Sequence, residues 1–297
     1  MICAVFGGSF DPPHIGHEQI VYEALKALHV ERIFVVPTYL NPFKDSFSAP
    51  ATLRLKWLRN LFGDNKKVEV LDYEVKQQER VPTIKTVNYL LKNYDIDKIY
   101  LIIGADNFKK LPLWKNYDEL KSKVEFVVAT RDDIILPKEL KKIKINVNIS
   151  SLELRDKLNP SFIPNCIKNE VENFYRKKNT RKIMEKRIEN IVNILDEKKA
   201  DNIQSFDMSE KDYFVNSVII ATTLGQRHGF ALLNHLKTEL KSEGEKFLNI
   251  EESEDWAILD MGDILVHLMS PEYRAKYNIE EFLRDYKLPE PEEMIEE

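Results

Sequence analysis

Cysteine is nearly missing from this chain: residues 3 and 166 are the only two in 297. Two thiols cannot build a disulfide framework or a clustered thiolate metal site, and their scarcity fits a reducing cytoplasm. Long apolar runs are missing as well. No stretch approaches the ~18–20 apolar residues that a membrane span needs, so no membrane partner is expected. The opening MICAVFGG (1–8) has no basic leader and runs straight into a glycine turn. It reads as a first strand rather than a signal peptide. There is no internal repeat and no low-complexity tract. What remains is 43% hydrophobic, which supports sizeable cores and argues against global disorder.

Charge is unevenly spread. Residues 1–200 carry 35 Lys and Arg against 27 Asp and Glu, whereas residues 201–297 carry 9 against 22. A net of +8 followed by a net of −13 suggests two modules with different partners.

The first module alternates. Short β-branched apolar runs stand at 2–6, 31–37, 67–75, 98–104, 124–130 and 145–150, with helical patterns such as 17–28 and 83–94 between them. This spacing predicts a doubly wound, mostly parallel α/β sheet of the Rossmann-like kind, with ligands beyond the carboxyl ends of the strands. A closing turn and helix are expected at 160–178, and a separate amphipathic helix at 180–200. That helix carries Ile183, Ile188, Ile191, Val192 and Leu195 as its stripe. The boundary is set near 178, in the basic cluster Arg176-Lys177-Lys178. The expected division is 1–178, then a small α/β or α+β domain at 179–287, then an acidic, proline-containing tail at 288–297.

The densest chemistry lies in GGSFDPPHIGH (7–17). Gly7 and Gly8 permit a turn in which backbone N–H groups approach a phosphate. His14 and His17 are three apart where a helix begins, so their side chains can converge; Gly16 between them leaves room for a ligand. A helix N-terminus favours anions. Two imidazoles there would stabilise charge building on an α-phosphate during in-line displacement. Further on, Gly104 and Asp106 follow a strand, where a carboxylate suits a ribose hydroxyl. Trp114 stands in a polar, proline-containing loop, either to stack on a flat ring or to plug the loop onto the core. Thr83 is placed as a helix N-cap, and Ser150 with Glu153 has capping-box spacing.

GGSFDPPHIGH resembles the signature of the HxGH nucleotidyltransferase superfamily, and residues 1–175 are similar to the bacterial nicotinate-nucleotide adenylyltransferases. PTYLNPFK (37–44), VPTIKT (81–86), IIGADNFKKLPLWKNYDEL (102–120) and ISSLELRDKL (149–158) carry the likeness. Two positions depart from the family pattern: Phe43 where His is frequent, and Leu152 where Thr is usual. The resemblance implies reversible transfer of the adenylyl group of ATP to nicotinate mononucleotide, giving nicotinate adenine dinucleotide and pyrophosphate in NAD biosynthesis. It implies catalytic roles for His14, His17, Lys44 and Arg155. ATP would be held by Gly7, Gly8, Ser9, Phe10, His14, His17, Gly104, Asp106, Ser151 and Arg155. Nicotinate mononucleotide would be held by Ser9, Lys44, Thr83 and Trp114. Mg²⁺ is expected to travel with the ATP phosphates, with no protein metal site. Pantetheine-phosphate adenylyltransferase and the cytidylyltransferases share HxGH, but the RTEGISTT-like end motif of the latter is absent here.

Residues 180–286 resemble the Iojap-related ribosomal silencing factors. SVIIATTLGQRHGFALLNHL (217–236) and DWAILDMGDILVHLMSPEYRAKYNIEEF (255–282) carry that likeness. It implies binding to a large-subunit ribosomal protein, uL14, and blocked joining of the small subunit. A module of net −13 is suited to a basic protein and poorly suited to RNA phosphates, so no direct nucleic-acid binding is expected. Trp256 is the candidate anchor at that interface. Asp260, Asp263, His267, His228 and His235 read as structural rather than catalytic. Two other readings stand open: a degenerate first module in a protein that only silences ribosomes, or an adenylyltransferase for another mononucleotide-like substrate.

Overall fold

The computed structural model describes residues 1–41, 45–108, 110–130, 137 and 140–286, with Asp106 described by its backbone alone. The chain separates into two compact units, Met1–Lys178 and Asn179–Glu297.

The first unit alternates strand and helix. In order come β1 (Ile2–Gly8), α1 (Ile15–Ala27), β2 (Arg32–Pro37), α2 (Ala51–Phe62), β3 (Val68–Val70), α3 (Tyr73–Gln77) and α4 (Thr83–Asn93). Then follow β4 (Lys98–Gly104), α5 (Ala105–Phe108), α6 (Tyr117–Lys123), β5 (Glu125–Thr130), β6 (Lys141–Lys144), α7 (Ser151–Asp156) and the start of α8 (Lys168–Glu197). The strands form one sheet in the order β3-β2-β1-β4-β5-β6, every pairing parallel. Helices on both faces explain why the strands read as continuous apolar runs. Ala4, Phe6, Ile33, Val35, Tyr100 and Ile102 fill the core on one side. Cys3, Val5, Phe34, Val36, Leu101 and Ile103 fill the other.

Several predicted elements are corrected. The run at 67–75 is strand only to Val70; Tyr73–Gln77 is a helix whose Val75 packs on Ala51 and Leu55 of α2. Period-two alternation over nine residues fitted a three-residue strand and one turn of helix equally well. The sixth strand is Lys141–Lys144, not 145–150. This edge strand buries only Ile143, so it has no apolar run to detect. Ile145 and Ile149 fill core positions from a loop. The basic cluster at 176–178 breaks nothing: α8 runs unbroken through it, since Lys and Arg are good helix formers. Ile183 is exposed, and Ile194 joins Ile191 and Leu195 in the buried stripe instead.

The second unit contains the rest of α8, then β7 (Asp201–Asp207), β8 (Ser217–Thr222), α9 (Gln226–Ser242), β9 (Asn249–Glu252), β10 (Trp256–Asp260), β11 (Ile264–Met269), α10 (Pro271–Tyr277) and α11 (Ile279–Asp285). Its sheet order is β7-β8-β11-β10-β9. Only β8 and β11 pair in parallel; the other pairings are antiparallel. Leu232, Leu233 and Leu236 of α9 cover one face with Ile191 and Leu195. Met208, Val215 and Leu283 belong to the cluster on the other. Among the described residues, no helix is long and apolar enough to cross a membrane.

Candidate active site

The strand order reverses direction between β1 and β4, so the segments leaving them diverge and open a crevice at their carboxyl ends. A cavity of about 590 Å³ lies there. Gly7, Gly8, Ser9, Phe10, His14, His17, Thr83, Gly104, Trp114 and Ser151 all line it. These residues span the sequence from Gly7 to Ser151 and are brought together by the fold. Lys44, the Asp106 side chain and the tail at 288–297 lie outside what the structure describes.

The histidines are set by the start of α1. His14 is its N-cap and His17 its third residue. The His14 backbone N–H donates to His17 Nδ1 at 3.2 Å, which makes Nε2 the protonated nitrogen of a neutral His17. The two rings stack with centroids 3.6 Å apart. Phe10 is buried behind them, edge-on to His17 at 4.9 Å and to Phe6 at 5.3 Å. Phe10 therefore backs the histidine pair from the core. A Cβ at position 16 would stand 3.0 Å from His14 Nδ1. Gly16 lines the cavity, as the expected room for a ligand requires, and a side chain there would also crowd the His14 ring.

A buried polar frame holds the motif loop. The Asp11 carboxylate accepts from Ser48 N at 2.8 Å, Ala49 N at 2.9 Å and the Tyr175 hydroxyl. Arg54 of α2, only 1% exposed, donates to Ala49 O at 3.0 Å, Thr38 O at 2.9 Å, Tyr39 O at 2.8 Å and also Ser9 O. Burial lowers the Arg54 pKa, with Asp11 opposing. One guanidinium thus clasps the loop after β1 to the loop after β2. Nothing in the sequence marked Arg54, Asp11 or Tyr175 as a set.

Ser150 and Glu153 form the expected capping box at the start of α7. Ser151 lines the cavity, and its hydroxyl donates to Pro12 O at 2.9 Å. Arg155 is half-buried and donates to Asp11 O; it sits against the motif loop and is not a lining residue of the cavity.

At the opposite end, α4 begins one residue earlier than expected. Its N-cap is Pro82 and Thr83 is its first residue, so Thr83 does not cap the helix and no side chain does. Trp114 plugs its loop onto the core, one of the two readings of that loop. It packs on the core beneath β4 and lines the cavity. Its Nε1–H is buried with no acceptor among the described residues, a donor available to a ligand. Glu74, Arg80, Thr86, Asn107 and Lys115 also line the cavity and were not foreseen. Glu74 is buried, accepts from Thr86 Oγ1 at 2.6 Å, and is pushed up to about 7 by burial, with the Thr86 bond opposing. Among the described residues no group of three or more His, Cys, Asp or Glu is arranged to hold a metal.

In the second unit, the fold uses the polar residues set aside as structural. Asp260 accepts from Gly262 N at 2.7 Å in a turn. Asp263 pairs with Arg187 at 2.5 Å, which also pairs with Glu245. His228 accepts from Leu224 N. Trp256 is half-buried, donates from Nε1 to His267 Nδ1 at 3.0 Å and lies 5.2 Å from the Tyr277 ring.

Residues 5–157 match the family model described as Cytidylyltransferase-like, and residues 181–297 match the one described as Ribosomal silencing factor during starvation. A probable nicotinate-nucleotide adenylyltransferase of Sulfurimonas denitrificans is 51% identical over 178 residues, which is 60% of this chain and 97% of the relative. One of Campylobacter jejuni is 48% identical over 177 residues, 60% of this chain and 98% of the relative. Among solved structures, Plasmodium falciparum nicotinic acid mononucleotide adenylyltransferase complexed with NaAD is 24% identical with a TM-score of 0.45, covering 60% of this chain and 95% of that one.

Proposed function

The chain belongs to the cytidylyltransferase-like family, its first 178 residues being a nicotinate-nucleotide adenylyltransferase, and on that footing we propose how its cavity performs the reaction and what the second unit does. The supporting observation is the convergence of the histidine pair, Thr83 and Trp114 on one cavity at the strand-order reversal.

ATP enters as its Mg²⁺ complex, the cation held by phosphate and water rather than by a protein cluster. An oxygen of the nicotinate mononucleotide phosphate attacks the α-phosphorus. A P–O bond forms, the α–β bridge breaks, and pyrophosphate leaves with the electron pair. No protein nucleophile is required; positioning and charge neutralisation lower the barrier. Gly7, Gly8, Ser9 and Phe10 offer backbone to the phosphates, and His17 Nε2–H donates where charge develops. Ser151, Arg155 and Lys44 are assigned to the phosphate chains, Gly104 and Asp106 to the ATP ribose. The first turn of α4 at Thr83, free of a side-chain cap, receives the ring carboxylate. Trp114 stacks on the pyridine ring.

For the second unit, which matches the ribosomal silencing factors, we assign the large-subunit protein uL14 as partner, with Trp256 at the interface and subunit joining as the step blocked. The acidic balance of residues 201–297 favours a basic protein partner. Both activities operate in the cytoplasm, the compartment we assign. Co-sedimentation of the full chain with large subunits, lost in Trp256→Ala, is the expected result; equal co-sedimentation of both proteins removes Trp256 from the interface. The enzymatic half is tested by pyrophosphate release with nicotinate mononucleotide against other acceptors.

A further inference from the structure

One buried ionisable group in the cavity has no part in the scheme above. Glu74 lies on α3 and lines the cavity with Thr83, Thr86 and Trp114, at the end assigned to the pyridine ring. Its carboxylate is 5% exposed as a residue, and among the described residues its one hydrogen bond comes from Thr86 Oγ1 at 2.6 Å. Thr86 is one turn into α4, the helix whose first residue is Thr83. A single carboxyl group therefore stands beside the helix start assigned to an anionic ring substituent, with no ion-pair partner there among the described residues.

We propose that Glu74, acting with Thr86, sets the charge preference for the pyridine substituent: neutral Glu74 admits a carboxylate, and ionised Glu74 opposes it and favours a carboxamide. The proposal rests on the adenylyltransferase reading and deepens it. The physical reason is direct. Two carboxylates in one desolvated cavity cannot both be ionised without a large repulsion. A neutral carboxyl, by contrast, can donate a hydrogen bond. An amide substituent carries N–H donors and suits an ionised acceptor. Burial between α3 and α4 pushes the Glu74 carboxyl up to about 7, so its charge state changes within the working pH range.

The surrounding groups do not duplicate this effect. His14 and His17 line the phosphate side, which both substrates share. Arg80, which pairs with Asp45, and Lys115 also line the cavity. On the elements packed against α3, Arg59 of α2 is paired with Asp72, and Arg32 of β2 with Glu69. On α4, Lys85 is paired with Glu79.

The test uses the full chain with MgATP and either nicotinate or nicotinamide mononucleotide, between pH 6.0 and 8.5. The readout is the ratio of the two KM values, nicotinate over nicotinamide. Phosphate and histidine titrations act on both substrates and cancel in that ratio. For the parent, the ratio rises roughly tenfold across the range, the size of one like-charge contact in a partly screened cavity. In Glu74→Gln, which keeps an acceptor for Thr86 and cannot ionise, the ratio is flat within about twofold. Thr86→Val removes the bond that favours the ionised form, so the rise moves to higher pH. That midpoint shift is a readout no packing defect produces. If Glu74→Gln keeps the parent's pH dependence, or Thr86→Val leaves the midpoint in place, the proposal is wrong while the enzyme assignment stands. If the parent turns over neither substrate at any pH, the adenylyltransferase reading falls and takes the proposal with it.

Discussion

Arg54→Met removes the clasp between the loops after β1 and β2 and keeps most of the hydrocarbon volume. Four backbone carbonyls lose their donor: those of Ser9, Thr38, Tyr39 and Ala49. A hydrogen bond from a charged donor contributes ~1.5–3 kcal/mol net, so simple addition would overshoot any plausible single-site effect. Two terms reduce it. The buried guanidinium itself costs desolvation, seen in its lowered pKa, and loop carbonyls near the surface recover water. We expect a loss of roughly 4 kcal/mol, at the upper end for one substitution. In a unit of this size that corresponds to a Tm lowered by about 8–16 °C. Calorimetry and urea unfolding of the full chain measure it. Because Ser9 and Thr38 both line the cavity, kcat/KM should fall as well, at temperatures where the variant is folded. Arg54→Lys, with one donor group in place of a fork, should fall between. A loss below ~1 kcal/mol for the methionine variant would show that the loops hold their geometry without the clasp, and the account of the frame would be wrong.

The other predictions are simpler. His17→Ala should lower kcat by about 100-fold or more, as for loss of one donor to developing charge; a reduction under tenfold would remove His17 from the transition state. Trp114→Ala should raise KM for nicotinate mononucleotide roughly tenfold and leave KM for ATP near its parent value, from the lost stacking. Burial holds the buried His267 imidazole down to about 4. An unfolded histidine titrates near 6.5, so between those values the unfolded chain binds a proton that the folded one does not. Stability then falls as pH drops from about 6.5 toward 4, by up to ~3 kcal/mol, and His267 adds no slope above 6.5. Urea midpoints at pH 5 and pH 7 check this, with the slope reduced in His267→Asn.

The sheet was legible because both of its faces are buried. Runs such as ICAVF and KIYLIIG alternate between two cores and so appear apolar throughout. Edge strand β6 was not legible, since one buried residue among three lysines leaves no pattern. The histidine pair was legible because its residues are one helical turn apart in sequence and chemically distinctive. Glu74, Arg54 and Lys115 are ordinary charged residues in charged surroundings, and only folding removes the first two from water. The capping box at Ser150 was readable because it is local, whereas the Asp11–Tyr175 contact spans 164 residues.

Pyrophosphate release by the purified full chain tests the central claim most directly. MgATP is supplied with nicotinate mononucleotide, nicotinamide mononucleotide or phosphopantetheine. The account predicts fast turnover with the first at neutral pH, slower turnover with the second and none with the third. No turnover with any of them, in a chain whose unfolding transition is intact, would contradict it and leave the second unit as the source of the protein's activity.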